Sequence, residues 1–197
     1  MPRSNFTSLK KNEMRKLKLQ MQMSADGFVG GPNGELNWMS FKFGNDDKME
    51  QFVNELTDSS DTILLGRKMI FVDYWENVKP NSPEYFFAQK MVSIPKIVFS
   101  KTIKSIAGKN IRVENGDLVT EVNKLKSKEG KDILVYGGAT FVSNLISENL
   151  IDEFNIFVNP TAIGNGLKIF KDITKLHLLK STAYECGVVA NTYQLRN

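Results

Sequence analysis

Cysteine and histidine are almost missing from this chain. Cys186 and His177 are the only ones in 197 residues. A lone cysteine excludes an internal disulfide and fits a reducing compartment. One cysteine with one histidine leaves no donor set for a structural zinc site, so no metal is expected. Long apolar runs are also lacking, and none reaches the roughly 18 residues that a membrane span needs. The basic start has no apolar stretch behind it, because Leu17-Lys18-Leu19-Gln20 alternates, so a secretion signal is not expected. These absences together read as a cytoplasmic protein without a membrane partner. Internal repeats and low-complexity segments are absent too.

What is present is ordinary for a folded domain: 41% hydrophobic and 24% charged residues. The net charge of +4 is misplaced rather than general. Residues 1–18 hold Arg3, Lys10, Lys11, Arg15, Lys16 and Lys18 against Glu13 alone, which exceeds the excess of the whole chain. The remainder is near neutral and carries no electrostatic footprint for nucleic acid. Residues 1–13 read as a flexible basic extension, and residues 14–197 as one domain.

The most informative stretch is Ile133-Leu134-Val135-Tyr136-Gly137-Gly138-Ala139-Thr140-Phe141. A strand-like apolar run stops at two glycines, and a helical pattern follows at once. Such a step lets backbone approach a ligand and aims free helix N–H groups at an anion, or it makes a tight turn and nothing more. Similar equipment recurs at two other strand ends, Gly66-Arg67-Lys68 and Ser100-Lys101-Thr102. Ligands of open α/β sheets bind beyond the carboxyl ends of strands. Three such ends gathered together would hold several phosphates. Arg67 can grip one bidentately, and Lys68 or Lys101 adds point charge. The residues therefore point to a dinucleotide of the NADP type.

Elsewhere, Leu17 to Met23 alternates as a first strand, and a glycine-rich loop covers residues 27–45. Asp46 or Asp47 caps a helix with Met49, Phe52, Val53 and Leu56 inward. Strands are expected at Thr62–Leu65, Lys96–Phe99, around Ile111, at Phe154–Val158, and from Leu176 and Val188 onward. Helices are expected from Gly66 towards Trp75, at Glu84–Met91, and at Asp117–Lys128. Strands and helices alternate and the end is strand-rich. That pattern predicts a three-layer α/β/α domain with a mainly parallel sheet and an antiparallel finish.

Five pieces in order resemble the dihydrofolate-reductase-like reductases, in particular the stand-alone relatives of the riboflavin-biosynthesis reductase domain. They are Ser24-Ala25-Asp26-Gly27-Phe28-Val29, Ile63 to Lys68 with Tyr74-Trp75, Lys96 to Thr102, Asp132 to Phe141, and Leu150 to Phe170 with Gly164-Asn165-Gly166. The resemblance implies the dihydrofolate-reductase-like fold, a homodimer, and NADPH-dependent hydride transfer to a C=N or C=O group of a small molecule. By position it puts Gly66, Arg67 and Lys68 at the adenosine 2′-phosphate, with Ser100 and Lys101 opposite. Gly137, Gly138, Ala139, Thr140 and Phe141 would hold the pyrophosphate, and Gln22, Val29 and Gly30 the nicotinamide ribose. Asp26 and Asp47 are the candidates for contacting substrate or relaying a proton. Trp38 would stack on the substrate or anchor its loop.

Three departures qualify the likeness. Met69 replaces the usual threonine after Gly-Arg-X. No carboxylate follows Trp38 within a helical turn, which speaks against folate as substrate. The zinc deaminase motifs of the bifunctional riboflavin enzyme are missing. A dinucleotide-binding protein with little turnover, and a true dihydrofolate reductase, are the alternatives.

Overall fold

Leu17–Ser24 (β1) is the middle of the molecule. Its odd positions Leu17, Leu19 and Met21 are buried in one apolar cluster, so alternation along the strand sends Gln20 and Gln22 to the opposite face. The structure is a computed structural model and describes residues 14–67 and 72–196. The basic extension, Lys68 and Met69 therefore lie outside the described residues.

After the glycine-rich loop, Asp46 caps Asp47–Asp58 (α1) by accepting from the Met49 N–H at 3.0 Å. Its second oxygen accepts from the Cys186 N–H at 3.0 Å, and so fastens the helix start to a distant loop. Of the two candidates for that cap, Asp46 fills the position and Asp47 is the first helical residue. Ser60–Gly66 (β2), Val72–Glu76 (α2), Tyr85–Ser93 (α3) and Lys96–Phe99 (β3) follow. Then come Ile111–Glu114 (β4), Leu118–Lys126 (α4), Asp132–Val135 (β5), Ala139–Ser147 (α5) and Glu153–Asn159 (β6), and the chain ends in Leu176–Ala183 (β7) and Val189–Leu195 (β8).

The eight strands lie in the order β4-β3-β2-β5-β1-β6-β8-β7. All pairs from β4 to β6 are parallel, and β8 alone runs against its neighbours. Met49 and Val53 of α1, Trp75 of α2 and Phe87 of α3 pack on Ile63 and Leu65 on one side of the sheet. Val122 of α4 and Val142 and Leu145 of α5 pack on Leu17 and Leu19 on the other. The result is the three-layer α/β/α architecture with helices on both faces, as parallel pairing requires. β1 leads to α1 on one face and β5 to α5 on the other. The crevice beyond these two neighbouring strand ends is therefore a topological switch point.

The opposite edge of the sheet, where the strands begin, is closed by ion pairs. Buried Arg15 pairs with Asp61 and also donates to the Lys131 carbonyl and to Thr62 Oγ1. Lys18 pairs with Asp132 at 2.8 Å, and Lys126 with Asp152 at 2.6 Å. Asp152 also accepts from the Leu17 N–H at 2.7 Å. Lys96, at the start of β3, is 1% exposed. Its ammonium donates to the carbonyls of Met91, Val92 and Ile94, closing the C-terminal end of α3. Burial pulls its pKa down to about 8, with Glu76 pushing the other way.

Candidate active site

At the carboxyl edge, Gly66 stands in register with Phe99 and donates its N–H to the Gly137 carbonyl at 3.1 Å. A Cβ on Gly66 would come within 2.7 Å of Phe141 Cβ and 3.3 Å of Gly138 Cα. Only glycine allows this approach of β2 to the start of α5. Gly137 and Gly138 have φ of 137° and 93°, a region that side chains disfavour. Gly138 occupies the cap position of α5 without a side-chain bond. The first turn through Ala139, Thr140 and Phe141 thus starts with backbone N–H groups and no competing side chain. The Phe141 ring stacks on Phe99 at 5.3 Å and fills the space behind.

Exposed Arg67 donates to Thr102 Oγ1 at 3.2 Å, and Thr102 Oγ1 lies 3.4 Å from Ser100 Oγ. Ser100 Oγ in turn accepts from the backbone N–H groups of Thr102 and Ile103. One guanidinium and two hydroxyls therefore share the rim of this edge. Lys101 is engaged elsewhere, with its ammonium on the carbonyls of Gly116 at 2.7 Å and Asn115 at 3.3 Å.

Beside this rim lies a cavity of about 620 Å³ between the sheet and α1–α3. Gln20, Gln22 and Tyr136 line it from the strands, and Val53, Trp75 and Phe87 from the helices. The glycine-rich loop adds Val29, Leu36, Phe41 and Phe43. Lys42, Tyr74 and Glu84 lie towards solvent, where the Tyr74 hydroxyl donates to Glu84 at 3.1 Å. Burial, with the Glu84 carboxylate beside it, raises the Tyr74 pKa. Tyr136 is half-buried in the cavity wall, and burial pushes its hydroxyl up to about 12. It is a protonated donor at neutral pH.

The two wall glutamines differ. Gln22 Oε1 accepts from Asn159 Nδ2 at 2.8 Å. Gln20 is 7% exposed, and its Oε1 has no hydrogen-bond partner. Leaving such an acceptor unmet costs about 1–3 kcal/mol.

Of the candidates read from sequence, Gly66, Arg67, Ser100 and Gly137 to Phe141 meet at the rim, and Gln22 and Val29 line the cavity. Gly30 is tied through its backbone to Leu167 in a two-residue bridge. Three others stand apart from the cavity wall. Asp26 accepts from Ser24 Oγ at 2.6 Å and from the N–H groups of Gly164 and Ile163, and these bonds hold its pKa below the usual carboxylate range. Trp38 is 9% exposed and donates its indole N–H to the Glu35 carbonyl at 2.8 Å, which anchors the loop. Asp47 is exposed on α1. The wall residues Gln20, Tyr136, Phe43 and Phe87 were not singled out from sequence. The available signal was Gln20 and Gln22 on a strand whose other face is wholly apolar. On an edge strand they would face water, but β1 is central and covered, so they face a cavity. Among the described residues, no group of three or more His, Cys, Asp or Glu is placed to hold a metal ion, and no helix is long and apolar enough to cross a membrane.

Comparisons with known proteins agree with this architecture. The family model of the RibD C-terminal domain matches residues 15–190. Protein YyaP of Bacillus subtilis is 34% identical over 190 residues, 92% of this chain and 95% of that one. A crystal structure from Shewanella sp. PV-4, named for riboflavin biosynthesis, aligns with a TM-score of 0.71 at 23% identity, over 93% of this chain and 100% of the other. Dihydrofolate reductase of Enterococcus faecalis, complexed with NADP(H), aligns at 0.61 with 15% identity, over 92% and 97%. The last two share the fold, which is dihydrofolate-reductase-like. The extent of the family match supports a reductase-type activity, and the chain belongs to the RibD C-terminal domain family.

Proposed function

We propose that the protein is an NADPH-dependent reductase that delivers hydride to a C=N or C=O carbon of a small molecule held in the 620 Å³ cavity. The observation that carries this reading is the meeting of Gly66, Arg67, Ser100 and the α5 start, whose Gly137 follows directly on Tyr136 of the cavity wall. The residues suit a phosphorylated dinucleotide. The Gly66–Gly138 approach and the uncapped first turn of α5 match a pyrophosphate, and Arg67 with Ser100 and Thr102 matches a 2′-phosphate. When bound, the nicotinamide supplies the hydride.

The chain's own part is placement and dryness. Gln22 and Val29 border the cavity from β1 and the loop. The loop, pinned by Trp38 and by the Asp26 bonds to Ile163 and Gly164, keeps water from the apolar wall. Among the described residues of that wall Glu84 is the only carboxylate, and it accepts the Tyr74 hydroxyl at the solvent side.

Titration with NADPH and with NADH, followed by nicotinamide fluorescence, tests the reading. NADPH is expected to bind tightly and NADH far more weakly. Arg67→Ala is expected to cost NADPH about tenfold to a hundredfold in affinity and NADH little. Failure of the native protein to bind either would overturn the proposal.

A further inference from the structure

We infer that Asn159, which stands behind the cavity wall, is a positioning residue: its one carboxamide seats the loop stretch Met39–Phe41 and fixes which way the Gln22 amide faces. Its effect on binding rests on the proposed reductase reading, and the placement itself does not.

Asn159 is the last residue of β6, stands in register with Ser24 at the end of β1, and is fully buried. Both polar atoms of its side chain are engaged. Nδ2 donates to the carbonyl oxygens of Phe157 at 3.1 Å and Met23 at 3.4 Å, which can only accept. Oδ1 accepts from the Ser40 N–H at 2.8 Å, which can only donate. These backbone groups leave the carboxamide a single orientation. Nδ2 is therefore a donor where it meets Gln22 at 2.8 Å, and the Gln22 atom there is the acceptor Oε1. The amide nitrogen of Gln22 is the branch left over, on a half-buried residue that lines the cavity. Asn159 thus decides that this part of the wall shows a donor. Without Asn159, nothing in this contact would tell the two branches of the Gln22 amide apart.

Ser40 carries the second consequence. It lies between Met39 and Phe41, and both line the cavity. The start of the same loop is tied to the stretch after β6, where Asp26 accepts from Ile163 and Gly164, and Val29 donates to the Leu167 carbonyl. Those bonds hold the loop but do not reach the wall glutamines. Asn159 serves loop and wall at once. The loop cannot lift at Ser40 without leaving a buried oxygen of Asn159 unmet, which makes the seat of the loop and the polarity of the wall one arrangement.

The test compares the native chain with Asn159→Ala, Gln22→Met and the double variant. Hydrogen exchange at the Ser40 amide reads the loop with no ligand present. Titration uses two probes of different reach: adenosine 2′,5′-bisphosphate, which can meet the rim alone, and NADPH, which also carries the nicotinamide. In Asn159→Ala the Ser40 amide is expected to exchange at least about tenfold faster, while amides of the β2–β3 ladder keep their native rates. In Gln22→Met the Ser40 rate is expected to stay native, because Asn159 keeps its backbone partners. Both variants are expected to lose about fivefold to tenfold in NADPH affinity and nothing in affinity for the bisphosphate. Asn159→Ala is expected to cost NADPH less on the Gln22→Met background than on the native one, since part of its effect passes through Gln22. A residue with a merely structural role would lower the thermal midpoint and weaken both probes alike. An unchanged Ser40 rate in Asn159→Ala, equal losses for the two probes, or losses that simply add in the double variant would each overturn the inference. If the native protein binds neither probe, the reductase reading falls, and the Ser40 rate still decides the placement.

Discussion

The two edges of one sheet are built from opposite materials. Where the strands begin, long cations and carboxylates close every gap: Arg15 on Asp61, Lys18 on Asp132, Lys126 on Asp152, and Lys96 on three carbonyls. Where the strands end, side chains are withdrawn. Gly66, Gly137 and Gly138 bring bare backbone together, and α5 begins with no side-chain cap. The comparison teaches that the groups that lock the sheet and the rim proposed to take the nucleotide lie at opposite ends of the strand axis. An edge satisfied by its own groups has nothing left for a ligand, and an edge that leaves donors open needs stability from elsewhere.

The largest break in that division should come from Arg15→Ala. It removes a buried guanidinium together with its bonds to Asp61, Thr62 and the Lys131 carbonyl. A loss of about 3 kcal/mol is expected, since breaking such a pair is strongly destabilising. Denaturant unfolding measures it, and the NADPH affinity of the folded protein should not change. A large affinity loss there would end the separation of roles. Gly66→Val attacks the other edge. Its Cβ would press on Phe141, so the NADPH affinity should fall about a hundredfold, or about 2.7 kcal/mol. Its thermal midpoint should fall less than that of Arg15→Ala.

Asp152→Ala sharpens the same contrast with a smaller effect. It strands the Leu17 N–H and takes the carboxylate from the Lys126 ammonium, and about 2 kcal/mol of stability should go without any change in binding. The smallest effect is a pH slope from Lys96. Its pKa falls from 10.5 to about 8 on folding, so between these values the unfolded chain holds more protons than the folded one. Stability contributed at this site therefore rises as pH rises from about 8 to 10.5. The native thermal midpoint should gain on Lys96→Met across that window, and parallel curves would contradict the buried ammonium.

Much of this molecule was readable before its structure. Strands such as Thr62–Leu65 and Ile133–Val135 are apolar runs between turn signals, and parallel strands covered on both faces have to look like that. The rim proposed to take the nucleotide was readable as a set of residues for a related reason. Its parts sit at strand ends, where a glycine or an arginine beside an apolar run is visible locally. Most of the cavity wall was not. Gln20, Tyr136, Trp75 and Phe87 come from four elements, and only the strand order and the packing of α1–α3 bring them together. Asp26 shows the opposite limit. A carboxylate in a glycine-rich loop reads as chemistry, but its oxygens are taken by Ser24, Ile163 and Gly164, which lie in contact only once the loop after β6 has folded back.

The three carbonyls held by Lys96 make α3 behave like a door hung on one side. Its last turn is bolted to β3. Its first turn has no side-chain cap, and Pro83 and Glu84 just before it border the cavity. One end of the helix that walls the cavity is thus held by a buried lysine, while the end that borders the opening is held by no side-chain cap.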